Sequence, residues 1–151
     1  MNRKAIVMAL AVALAVPAEG LRQWAYKDPP GILTVCYGHT GNVQKGRKYS
    51  LDECKALLNE DMLNAVDQVE KCHPNLPPRV HAAFADAVFN MGPKVACSST
   101  ASAYLSDGNY EAACNQLPRW NKANVGGRYV ELPGLTKRRA AERALCLEDA
   151  K

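Results

Sequence analysis

The stretch SLDECKALLNEDMLNAVDQVEKC, residues 50–72, constrains the architecture more than any other. Leu51, Cys54, Leu57, Leu58, Met62 and Ala65 recur at the spacing of one helix face. Ser50 and Glu53 stand in the relation of a capping box, and HPNLPP stops the helix behind it. The chain before this long helix differs from the chain after it. Residues 21–49 are rich in Gly, Pro, Tyr, Val and Thr, with strand character in ILTVCYGH and a hairpin turn in HTGN. From residue 78 onward only helices are expected, in RVHAAFADAVFNMG, SSTASAYLSDG, NYEAACNQLPRW and LTKRRAAERALCLEDA. The fold class is therefore α+β and mainly helical. A β-rich lobe (19–49), a connecting helix (50–72) and a helical lobe (73–151) follow in order, and the boundary between two lobes is a natural place for a cleft.

Composition agrees with a folded protein. The chain has 151 residues, 48% hydrophobic and 23% charged, with a net charge of +4. That charge favours an anionic partner such as a wall polymer, nucleic acid or lipid head group, without choosing among them. The six cysteines (Cys36, Cys54, Cys72, Cys97, Cys114, Cys146) are even in number, dispersed, and form no C-x-x-C pair. Behind an export-like N-terminus they read as disulfides made in an oxidising compartment. Zinc is the competing reading. Only His39, His73 and His81 could join such a site, and no clustered ligand spacing occurs.

Arg3 and Lys4 precede the apolar run AIVMALAVALAVPA, residues 5–18. A basic start, a short apolar stretch and small residues at its end describe a secretory signal. As a helix the run would be about 21 Å long, short for a bilayer core of about 30 Å. Three fates are open: cleavage near Ala18, retention as a weak anchor, or folding as an ordinary helix.

The residue after the run is Glu19. If the run packs as a helix, this carboxyl sits at its end against apolar surface, where desolvation keeps a carboxyl protonated as a general acid requires. Asp28 lies in a polar, turn-rich stretch suited to an ionised carboxylate. Two carboxylates in unlike environments are the usual equipment for splitting a glycosidic bond. Thr34 offers a hydroxyl that could hold a water near Asp28. Taken singly, each is more simply a surface acid or a turn residue; their spacing is what changes the reading.

EGLRQWAYKDPPGILTVCYGH resembles the active-site stretch of the phage-type lysozymes, glycoside hydrolase family 24. Those enzymes show Glu, eight residues, Asp, five residues, Thr, then Gly-His at the end of a hairpin, and Glu19, Asp28, Thr34 and Gly38-His39 fall on that pattern without insertion. LNEDM, FNMG at residues 89–92 and EAACNQLPRW extend the similarity nearly to Cys146. The resemblance implies a single lysozyme-like domain over residues 1–151. It implies hydrolysis of the bond between N-acetylmuramic acid and N-acetylglucosamine in peptidoglycan, by acid–base chemistry without metal or other cofactor. Glu19 would give a proton to the leaving oxygen. Asp28 would activate or orient water or stabilise charge on the ring, and Thr34 would help place the water. His39 would pair structurally with Asp61. Phe89 and Asn115 would line the cleft, although Phe89 reads equally well as core. The basic residues Lys137, Arg138, Arg139 and Arg143 read as a solvated face. A monomer acting on peptidoglycan, with no nucleic-acid partner, is expected.

Cys36 stands where the simplest members carry Gly. Six cysteines allow about 15 connectivities; by position, the pairing expected is Cys36 with Cys54, Cys72 with Cys97 and Cys114 with Cys146. The catalytic Glu of the family closes a helix of the fold, so residues 1–18 are expected to be retained. Cleavage at Ala18 would also place a charged amino group beside the acid. This is similar to the signal-anchor-release endolysins of phages infecting Gram-negative hosts. In those, a weakly apolar N-terminus tethers the enzyme at the inner membrane before freeing it into the periplasm. A first helix with no membrane stage is the alternative. A non-catalytic wall-binding protein on the same scaffold is the competing function, and loss of Glu19 or Asp28 would be its mark.

Overall fold

A computed structural model describes residues 1–151. The apolar N-terminal run is a packed helix, α1 (Arg3–Glu19), capped by the Asn2 side chain. Val7, Ala11 and Ala15 recur at one-turn spacing and are fully buried. Pro17 lies inside the last turn, and Gly20, with φ +69°, ends the helix directly behind Glu19. No helix is long and apolar enough to cross a membrane.

The β-lobe is a three-stranded antiparallel sheet of β1 (Arg22–Lys27), β2 (Leu33–Cys36) and the short β3 (His39–Thr40). Tyr26 pairs with Thr34 and Lys27 with Leu33, and the register shifts between Arg22 and Tyr26. Helix α2 (Leu51–Cys72) begins at Ser50 with both bonds of the capping box formed. Its buried stripe of Cys54, Leu58, Met62, Ala65, Val66 and Val69 carries the sheet at one end and the helical lobe at the other.

At the centre of the helical lobe lies α3 (Pro78–Met91), buried at every position from Val80 to Val88 and packed against α1 and α2. Around it come α4 (Lys94–Cys97), α5 (Thr100–Ser106), α6 (Tyr110–Cys114), a 3-10 turn at Leu117–Arg119, and α7 (Pro133–Glu148), which also packs on α3. One expectation fails here. The chain beyond residue 78 is not wholly helical: β4 (Lys122–Val125) and β5 (Arg128–Glu131) form a hairpin. Gly126 and Gly127 both take positive φ in its two-residue loop, the conformation that matches the twist of paired strands.

All six cysteines are paired, as Cys36–Cys54, Cys72–Cys97 and Cys114–Cys146. The first ties β2 to α2, the second ties the end of α2 to α4, and the third ties α6 to α7. None is left for zinc.

Candidate active site

Glu19, the last residue of α1, reaches two other elements. Its carboxylate rests on the backbone of Gly38, in the turn between β2 and β3, so closely that a Cβ at position 38 would overlap it. Its Oε1 accepts a bond from Nη1 of Arg138 on α7. The same guanidinium donates from Nε and Nη2 to the two carboxylate oxygens of Asp86 on α3, at 3.0 and 2.8 Å. Glu19 therefore faces a cation, not the apolar surface expected from the preceding run. The reason lies in α7, whose Arg138 and Arg139 turn inward.

That inward turn corrects the solvated-face reading for Arg138 and Arg139, while Lys137 and Arg143 are exposed. Arg138 is 5% exposed, and Arg139, Asp86 and Glu142 are fully buried. Arg139 meets Glu142 at 2.7 Å and donates to Asn90 at 2.9 Å. Burial pushes the Asp86 carboxyl up, but hydrogen bonds from Arg138 and Glu142 and the two guanidinium charges outweigh it and bring it below its ordinary value. Burial, joined by the hydrogen bond to Asp86, raises the Glu142 carboxyl well above the usual carboxylate range. Arg138 loses by burial and gains more from Asp86 and Glu19, so its cation is reinforced.

Asp28 closes β1. Its Oδ1 accepts from the Ile32 amide at 2.7 Å, which organises the Pro-Pro-Gly turn and leaves the other oxygen without a protein donor. Thr34 is buried on β2, and its hydroxyl donates to the Ile32 carbonyl at 2.8 Å. The hydroxyl proton is thus spent on backbone, and Thr34 is linked to Asp28 through the two polar groups of Ile32. Tyr26, opposite Thr34, feels both acids. Burial first, then the charge of Glu19, then that of Asp28 raise its phenol above its ordinary value.

A cleft of about 300 Å³ opens between hairpin and helices, lined by residues including Gly38, Thr40, Asp61, Gln68 and Phe89. Phe89 thus lies on the cleft wall, partly buried, with the Arg138 guanidinium 5.7 Å from its ring centre. His39 Nδ1 and Asp61 Oδ2 are 2.7 Å apart, which joins hairpin to α2 at the cleft edge. Asn115 is not in this lining. It caps α6, is exposed, and accepts from Arg143 Nε at 2.8 Å.

Sequence reasoning missed Arg138, Asp86 and Tyr26. Asp86 carried a signal: an acid inside the apolar run HAAFADAVF needs a buried cation.

The model of the phage lysozyme family matches residues 17–142. A SAR-endolysin of bacteriophage PS119 is 40% identical over 131 residues, covering 85% of this chain and 76% of the relative. The muramidase domain of SpmX from Asticaccaulis excentricus superposes with a TM-score of 0.80 at 30% identity, covering 91% of this chain and 94% of that one. The active form of the P1 phage endolysin Lyz superposes with a TM-score of 0.82 over 98% and 94% of the two chains, at 24% identity a likeness of fold. Neither Glu19 nor Asp28 lines this cleft itself; Glu19 reaches it through Gly38. With the family match across most of its length, the chain belongs to the phage lysozyme family, glycoside hydrolases that lyse peptidoglycan.

Proposed function

We propose that Glu19 is the general acid of this peptidoglycan-cleaving enzyme and that Asp28 is its partner. Glu19 gives its proton to the oxygen of the leaving sugar as the bond from that oxygen to the anomeric carbon breaks. A water adds to the anomeric carbon and gives up a proton, and the free oxygen of Asp28 receives it. Thr34, through Ile32, fixes the turn that aims Asp28. The bond cut is the β-1,4 link between N-acetylmuramic acid and N-acetylglucosamine. Phe89 offers an apolar wall for the sugar. His39 and Asp61 hold hairpin to helix.

The placement of Glu19 carries this reading. A helix that looked disposable delivers its terminal carboxylate onto the hairpin at Gly38, a residue that also lines the cleft. The test is turbidity loss of a wall suspension with wild type, Glu19→Gln and Asp28→Asn. Both variants should clear at least ~100-fold more slowly, the scale of losing acid–base assistance. Equal clearing would refute the assignment and favour a non-catalytic wall-binding protein.

Two supports favour action in the periplasm after a membrane-associated stage: the relatives are named SAR-endolysins, and three disulfides need an oxidising compartment. Helix α1 has 17 residues, about 26 Å, and so would be a marginal anchor. Its buried face is shared with α3. A copy of α1 in lipid cannot also hold Glu19 at Gly38, so membrane residence and activity exclude each other.

A further inference from the structure

A general acid must hold a proton, yet Glu19 sits against a guanidinium. A lone arginine at hydrogen-bond distance favours the carboxylate over the acid. Arg138 is not alone. Asp86 takes two of its nitrogens through a bidentate pair and leaves Nη1 for Glu19. Asp86 is fully buried in the middle of α3, so water screens neither partner. Its own carboxyl is held ionised by the contacts described above. The cation that grips Glu19 is therefore already neutralised from behind.

Resting on the assignment of Glu19 as the acid, we propose that Asp86 is a positioning residue for the reaction. It fixes the Arg138 guanidinium in one orientation and cancels its charge, so that Arg138 aligns the Glu19 carboxyl without stripping its proton. Asp86 touches neither Glu19 nor the reacting bond. Its hydrogen-bonded path to Glu19 runs through Arg138, while on its other side it is bonded to the Glu142 carboxyl and faces the charge of Arg139. The pair also explains why an acid stands in the apolar core of α3, where an unpaired carboxylate would be costly.

Asp86→Asn keeps the shape and removes the charge. The full cation then falls on Glu19. The alkaline limb of the pH–rate profile on soluble peptidoglycan fragments should move to lower pH by about one unit, the low end of what an adjacent guanidinium does to a carboxyl. At pH 7, kcat should drop ~10-fold with KM within about twofold, because substrate contacts are untouched. Adding Arg138→Met should return the limb to the wild-type position or above it, a suppression that a merely structural role for Asp86 would not give.

If Asp86→Asn alone does not fold, the comparison is Arg138→Met against Asp86→Asn/Arg138→Met, which buries no unpaired charge. The two should share one limb, and a further shift would overturn action through Arg138. Glu19→Gln is run alongside. If it is inactive and the Asp86→Asn limb does not move, the role of Asp86 is refuted while the acid assignment stands. If Glu19→Gln is fully active, the acid assignment fails and the proposal fails with it.

Discussion

Gly38 and Glu19 are in contact across the junction of hairpin and first helix, with no room for a side chain at position 38. Gly38 also takes a φ of +77°, in the region that L-residues avoid. Two requirements thus converge on one glycine, a left-handed backbone and a bare surface for the carboxylate. The Gly38→Ala variant should lose about 1–2 kcal/mol from backbone strain alone. It should also lose activity by ~100-fold, because displacing a catalytic group by an ångström has effects of that size. Thermal unfolding and wall clearing on the same preparation check both. Near-normal activity would show that the contact is dispensable.

The start of α1 is fastened by charge. Arg3 lies 3.4 Å from Glu70, Lys4 lies 3.0 Å from Asp67, and Arg3 Nη2 donates to His81 Nδ1 at 3.1 Å. His81 is buried on α3 and uses Nε2–H to donate to the Val66 carbonyl at 2.9 Å. Only the neutral ring can serve both partners, since a proton on Nδ1 would confront the guanidinium. Burial lowers the His81 pKa, and Arg3 adds to this, against the Val66 carbonyl, Glu70 and Asp67, which favour the charged ring. The unfolded chain therefore binds a proton that the folded chain does not, at pH values just below about 6.5. Stability should fall as pH drops through that range. Wild type should melt lower at pH 5.5 than at pH 7.5, and His81→Gln should show a smaller difference. Equal pH dependence in both proteins would remove His81 from the account.

The three disulfides should not be equivalent. Cys114 and Cys146 close a separation of 32 residues within the helical lobe, far from Glu19 in the chain. Replacing both by Ala should cost about 3–4 kcal/mol and leave kcat nearly unchanged at a temperature where the variant is folded. Cys36 has φ +63°, lies two residues from both Thr34 and Gly38, and is pinned by Cys54 to the first turn of α2. Its replacement together with Cys54 should lower kcat as well as the melting temperature. Similar kinetics for the two double variants would mean that the first bridge serves stability only.

Legibility followed the range of the interactions. The α2 capping box joins residues three apart, and both partners are visible in SLDE. Glu19, Asp28 and Thr34 fall within 16 positions of one another along the chain, the range over which a motif can be read. The buried network was not, because Arg138 meets Asp86 across 52 residues and Glu19 across 119. Adjacent arginines on a mixed helix read as solvated until their partners are known. The β4–β5 hairpin could have been found. NVGGRYV holds a Gly-Gly turn between two β-prone segments, and nearby helical patterns hid it. Which way Asn115 faces was not legible either, because position along a motif does not reveal that it caps α6 and meets Arg143.

The central claim is that α1 is part of the enzyme and holds its acid. The most direct test is to isolate active protein from the periplasm of lysing host cells and determine its N-terminal sequence and intact mass. Active material should retain residues 3–18, with Glu19 internal. Fully active protein that begins at Glu19 would contradict the account.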